Sequence, residues 1–181
     1  MLEGKLVRLR AIEPGDAEPY YRWFNDQEVT RFLATRYPVS RAYEEAFIAR
    51  RSTNDFSQGL MLAIETKDGA NIGNIGLHDP HPEHRTATLG IEIGEKEYWA
   101  NGYGSDAIVT LLRFCFDEMN LNRVSLHVFE FNERALACYK KCGFQMEGRL
   151  RQQYYGEGRY WDVFVMGILR DEFEALHGAR D

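Results

Sequence analysis

The chain has 181 residues, 44% hydrophobic and 28% charged, a balance that builds a packed core and excludes a disordered chain. That length fits one domain over residues 1–181. The net charge of −6 argues against a nucleic-acid partner, which needs clustered Lys and Arg to release counterions, and leaves room for a cationic substrate.

In chain order, Lys5 to Ala11 (KLVRLRA) alternates apolar and basic residues and predicts a half-buried strand. Pro14-Gly15-Asp16 offers a turn and an N-cap for a helix that carries Tyr20, Tyr21, Trp23 and Phe24 and ends near Asn25-Asp26. A short helix over Gln27 to Ala34 follows. Ser40 caps a third helix through Glu44 and Phe47, and Asn54 to Gly59 reads as a loop. Leu60 to Thr66 and Asn71 to Leu77 are strands around a Lys67-Asp68-Gly69 hairpin turn, and Thr86 to Gly94 continues the meander.

From Gly102 the period becomes helical, with Ala107, Ile108, Leu111, Leu112, Cys115 and Phe116 on one face and an end near Met119-Asn120. Arg123 to Glu130 is a strand. Asn132 caps a helix over Glu133 to Lys141, which Gly143 closes in the left-handed conformation. Gly143 to Tyr155 and Arg159 to Leu169 are the last two strands, and the final ALHGARD reads as a frayed helix end. This order predicts an α/β (α+β) fold: seven strands, mostly antiparallel, with one parallel pair where Thr86 to Gly94 passes through a helix into Arg123 to Glu130.

The N-terminus holds no apolar run of signal length, and no segment approaches the roughly 20 apolar residues that span a bilayer. Three cysteines, Cys115, Cys138 and Cys142, suit a reducing compartment rather than a disulfide framework. The expectation is a cytoplasmic protein without a membrane partner.

Chemistry enters at Gly102-Tyr103-Gly104-Ser105-Asp106-Ala107. Glycines that open a helix let backbone approach a ligand, and the first-turn N–H groups sit at the positive end of the helix dipole, so Asn101 to Ala107 can cradle a pyrophosphate. Glycines before a helix are also often only a turn. A dinucleotide fingerprint competes, with Glu130 as its ribose acid; the mid-chain position and the upstream meander count against it.

The next segment, Asn132 to Phe144, runs N-E-R-A-L-A-C-Y-K-K-C-G-F. It resembles the GCN5-related N-acetyltransferase (GNAT) superfamily, whose second half carries an N-x-x-A-x-x-x-Y-x-K-x-G-F pattern. With Tyr98-Trp99-Ala100-Asn101-Gly102-Tyr103-Gly104 upstream, the likeness is nearest to the branch of ribosomal-protein alanine and spermidine acetyltransferases. It is specific from about Leu89 to Phe144 and looser elsewhere. One departure is Trp99, where the broader family usually has Gln or Arg.

The resemblance implies a twisted sheet with helices on both faces and acetyl-CoA as cosubstrate; no metal is expected from the residues. It also implies direct transfer of the acetyl group to a primary amine. Tyr139 matches the tyrosine usually assigned as the acid that protonates the departing sulfur; taken alone it would be a half-buried helix tyrosine. Asn132, which can cap its helix, would also contact CoA. Backbone groups of Ile93 and Gly94 would hold the pantetheine arm like an added strand, and Asn101, Gly102, Tyr103, Gly104 and Ser105 would hold the diphosphate. Glu92, between Ile91 and Ile93, is the candidate base, since most of any alkylamine or α-amine is protonated at neutral pH; alternation gives its face but not which face carries substrate.

Other groups carry less. His78, His81 and His84 recur every third residue, but Pro80 and Pro82 break their alignment. Cys138 and Cys142 read as reduced packing cysteines, and His127 as a core or interface histidine. Tyr20, Tyr21, Trp23, Phe24 and Phe32 would wall the acceptor site, though core packing explains most of them equally well. The acceptor stays open between a protein N-terminal amine and a small amine such as a polyamine or amino sugar. A non-catalytic CoA-binding sensor is the alternative from another class, and Tyr139 argues against it. Exposed strand edges suit a homodimer.

Overall fold

The computed structural model describes residues 1–35, 37–51 and 59–178. An eight-stranded sheet runs in the order β1-β2-β3-β4-β5-β6-β8-β7. Its strands are β1 (Leu2–Glu3), β2 (Val7–Ala11), β3 (Leu60–Thr66), β4 (Asn71–His81), β5 (Thr86–Ile93), β6 (Arg123–Phe129), β7 (Gln145–Gly156) and β8 (Arg159–Leu169). The helices are α1 (Ala17–Phe24), α2 (Gln27–Thr30), α3 (Arg41–Arg51), α4 (Tyr103–Asp117), α5 (Glu133–Cys142) and α6 (Arg170–His177). Every pairing is antiparallel except β5 with β6, so the fold class read from the sequence holds. The strand beyond the seven expected is β1, only two residues long. Most of the expected Asn54 to Gly59 loop, and the last residues of the ALHGARD end, lie outside the described residues.

Alternation along the strands sends side chains to two separate cores. Val7 and Leu9 of β2, Leu89 of β5, Val124 and Leu126 of β6 and Ile168 of β8 face α4, α5 and α6, burying Ile108, Leu111, Phe116 and Phe173. On the other face Ala63 of β3 packs with Tyr20 and Trp23 of α1, Val29 of α2 and Ile48 of α3. One face thus belongs to the C-terminal helices and the other to the N-terminal ones. Each fully buried large side chain removes apolar area worth roughly 1.5–3 kcal/mol.

Two acids fix the N-terminal segment. Asp106 in the first turn of α4 accepts the backbone N–H groups of Lys5 (3.0 Å), Leu6 (2.6 Å) and Val7 (3.0 Å), tying the β1–β2 turn to the start of that helix. Asp16, expected to cap α1, makes no side-chain cap. Its carboxylate is buried between the Arg10 guanidinium, the Asn71 amide and the Glu13 N–H. Three donors outbid one helix terminus.

At Ile72 the β3–β4 register shifts, Ile64 facing Gly73 and Glu65 facing Asn71, which makes Ile72 a bulged residue. Its carbonyl accepts both Gly94 N–H (2.9 Å) and Glu95 N–H (3.2 Å), where β5 ends.

Candidate active site

The parallel pair is short: Thr86, Ala87 and Thr88 stand against Arg123, Val124 and Ser125, and there the pairing stops. Beyond it β5 stays on β4 as far as Ile93, and β6 stays on β8 as far as Phe129. The two strands therefore part in the middle of the sheet. Because Gly94 N–H points to Ile72, antiparallel alternation directs the even-numbered backbone groups of β5 to β4 and turns those of Leu89, Ile91 and Ile93 into the gap. A cavity of about 890 Å³ opens there, lined by both strands, the starts of α4 and α5, and side chains from α1 to α3.

The glycine-rich turn forms one wall. Gly102 is left-handed (φ 88°) and is the N-cap of α4, a conformation that costs a side-chain-bearing residue about 1–2 kcal/mol. The first amide paired within the helix is Asp106 N–H, on the Gly102 carbonyl at 3.0 Å. The N–H groups of Tyr103, Gly104 and Ser105 precede it and have no helical partner. Gly102, Gly104 and Ser105 line the cavity. The side chains of the other two expected cradle residues are engaged elsewhere: the Asn101 amide donates to the Glu97 carbonyl (3.0 Å), and the Tyr103 ring packs edge-on against Tyr98 (5.0 Å). Only their backbone is left for a ligand.

Helix α5 forms the facing wall. Asn132 caps it, Oδ1 accepting Ala135 N–H at 3.2 Å, so its amide nitrogen is the part available to the cavity. Tyr139 lies on the cavity wall only 8% exposed. Burial, helped by Cys138 and Cys142, lifts its phenol well above the ordinary value of 10, and it stays protonated at neutral pH. Cys138 Sγ sits 3.3 Å from Ser105 Oγ, and Cys142 Sγ donates to the Ser105 carbonyl at 3.7 Å, joining α5 to α4.

Glu92 projects on the face of the N-terminal helices and lines the cavity. It is 8% exposed; Oε2 accepts from Asn74 Nδ2 at 3.2 Å, and Oε1 is buried without a partner. Burial pushes its pKa from 4.5 up to about 7, against the Asn74 hydrogen bond and with help from Glu44. Behind it Glu44 of α3, 2% exposed, and Tyr20 of α1 likewise bury an oxygen without a partner. The face that alternation left undecided is the one covered by α1 and α3.

Several expectations need correction. Gly94 is not a cavity residue: its N–H is spent on Ile72, and a β-carbon there would collide with the Trp23 ring. The Ile93 carbonyl already accepts the Trp99 indole N–H at 2.6 Å, which leaves its N–H. His127 is exposed at the cavity rim, not in a core, because its face of β6 lies opposite the buried Leu126 and Val128. Of the aromatic residues expected to wall an acceptor, Phe24 and Phe32 do so, while Tyr20 and Trp23 are buried in the N-terminal core. Among the described residues, no group of three His, Cys, Asp or Glu side chains could hold a metal.

One cavity cation escaped the sequence reading. Arg134, in the first turn of α5, lays its guanidinium over the Trp99 ring at 3.9 Å and the Phe32 ring at 5.3 Å. It occupies the positive end of a helix, where a cation is unfavourable until an anion arrives. No local signal marks it, since Phe32 and Trp99 meet its guanidinium only in the folded chain.

Three comparisons bear on this arrangement. The model of a family described as an acetyltransferase (GNAT) domain matches residues 7–145. An uncharacterized N-acetyltransferase, YoaA of Bacillus subtilis, is 34% identical over 94% of this chain and 97% of its own. A putative ribosomal N-acetyltransferase of the same organism, YdaF, is 30% identical over 93% of each chain. The crystal structure of a spermidine N-acetyltransferase from Vibrio cholerae in complex with CoA and spermine superposes with a TM-score of 0.84. It is 27% identical and is covered over 98% of its length by 93% of this chain.

Proposed function

Because the chain belongs to the acetyltransferase (GNAT) family and is an acetyl-CoA-dependent N-acetyltransferase, we propose that Glu92 and Tyr139 are its base and acid, working from opposite faces of the parted sheet. The single observation that carries this is the cavity itself, which has a buried carboxylate with one unpartnered oxygen on one side and a buried neutral phenol on the other.

Acetyl-CoA enters along the gap. Its diphosphate rests on the amides of Tyr103, Gly104 and Ser105, with Gly102 and Asn101 shaping the turn, and Arg134 adds a guanidinium. The pantetheine arm takes the free β5 edge, Ile91 and Ile93 N–H among its donors, and the Asn132 amide nitrogen. The amine arrives from the α1–α3 side as an ammonium and loses a proton to Glu92, whose value near 7 matches a base that works at neutral pH.

The freed nitrogen attacks the thioester carbonyl carbon. A C–N bond forms, the C–S bond breaks, the acylated nitrogen gives its second proton to solvent, and the sulfur takes its proton from Tyr139, which regains one from solvent. Burial raises the phenol, and the same dry surroundings raise the proton affinity of the leaving thiolate, so the transfer stays matched. No covalent enzyme intermediate is needed.

The same reading has one catalytic domain over residues 1–181, working in the cytoplasm. Among the described residues no helix is long and apolar enough to cross a membrane. The exposed β7 edge of the sheet suits a homodimer. Incubation with acetyl-CoA and a panel holding an N-terminal peptide, spermidine and an amino sugar, read as free thiol, tests the transfer. Amine-dependent thiol release is the expected result; tight acetyl-CoA binding with no release would make the chain a sensor.

A further inference from the structure

The acceptor half of the cavity has a charge pattern of its own. Its wall on the N-terminal side is largely apolar, with Phe24, Val29, Phe32, Leu33, Phe47 and Met61, and its polar members Thr35, Arg51, Asn74 and His78 include a cation but no acid. Among the described lining residues the one carboxylate is Glu92. Glu44, the next acid on that face, lies behind the wall and outside the lining.

Aromatic faces could receive an ammonium in place of acids, but here two of the three rings already carry cations. The Phe32 ring is covered by Arg31 at 5.8 Å and Arg134 at 5.3 Å, and the Phe47 ring by Arg51 at 5.5 Å. A further ammonium brought to either ring meets a guanidinium already on its face, Arg31 there being paired with Glu157. Cations at the rings and a single acid at the reacting centre leave counter-charge for one ammonium only, and that one is discharged in the reaction.

Building on the acid–base assignment above, we propose that the acceptor is a primary amine with one positive charge on an apolar body, and that this site discriminates against polyamines. A polyamine keeps at least one ammonium after the reacting nitrogen is deprotonated, and the described lining offers it no carboxylate beyond Glu92, while guanidiniums already cover the Phe32 and Phe47 rings. An alkylamine, or a peptide N-terminus flanked by small apolar side chains, meets the wall with no remaining charge. In this the chain differs from the spermidine acetyltransferases it resembles.

The test is a minimal pair: hexylamine and hexamethylenediamine, equal in reach and differing by one terminal ammonium, with acetyl-CoA and the full-length chain. The expected kcat/KM favours hexylamine by at least about tenfold, the scale on which a single mismatched group is rejected. Equal values, or preference for the diamine, would overturn the inference while leaving N-acetyl transfer intact. If neither amine nor an alanine-led peptide is acetylated although acetyl-CoA binds, the acid–base assignment itself fails and takes the inference with it. Met61→Glu, which puts a carboxylate into the apolar wall, should move the ratio toward the diamine. A folded Met61→Glu that binds acetyl-CoA and leaves the ratio where it was counts against the charge argument, and the wild-type ratio decides the matter if that variant does not fold.

Discussion

Replacing Glu92 by Gln separates what the carboxylate does for the reaction from what it does to the fold. The rise of its pKa from 4.5 to about 7 corresponds to roughly 3 kcal/mol. The sign follows from proton binding: between those values the folded chain holds the proton more tightly than the unfolded chain, so stability falls as pH rises. The penalty is absent below about 4.5 and complete above about 7. Glutamine is neutral throughout and keeps an acceptor for Asn74 Nδ2. At about pH 8 the variant should melt roughly 6–12 °C above the wild type, and near the ordinary carboxylate pKa the two should coincide. Activity moves the other way, with kcat/KM down by about 10²–10⁴-fold and the acid limb near pH 7 abolished. Melting curves across pH, paired with thiol-release kinetics, check both halves. A melting difference that ignores pH would refute the buried-carboxylate reasoning, and retained kcat/KM would refute the base.

Three other substitutions probe the remaining parts. Tyr139→Phe should lower kcat on the order of 10²-fold, with the acetyl-CoA Kd from calorimetry unchanged within about twofold. Arg134→Ala should raise the KM for acetyl-CoA by about tenfold, leave kcat alone, and flatten the salt dependence of binding. Asp106→Ala strips an acceptor from three backbone N–H groups and should cost about 1–3 kcal/mol, seen as a lower melting temperature.

Much of the fold was readable because local signals agreed with packing. Leu60–Thr66 and Arg159–Leu169 were predicted to the residue, each bounded by turn chemistry and filled with residues that suit a pleated, half-buried surface. Gly143, left-handed at φ 105°, ended α5 as its place predicted. Asp16 was misread because capping is a local inference, while Arg10 and Asn71 reach it only in the folded chain. Glu92 shows the same limit: its side of β5 follows from alternation, but its burial depends on α1 and α3, which lie far away in sequence. Arg134 was passed over because a guanidinium on a helix reads as solvated surface until Trp99 is brought beneath it.

The divergence of β5 from β6 puts a strand border at the centre of the molecule instead of its rim. A border at the rim invites other chains to add on and aggregate. Here the amides of Leu89, Ile91 and Ile93 are flanked by a neighbouring strand on each side and by helices above and below, so only something as thin as an extended chain can reach them. The architecture thereby turns a common liability of sheets into selectivity by shape.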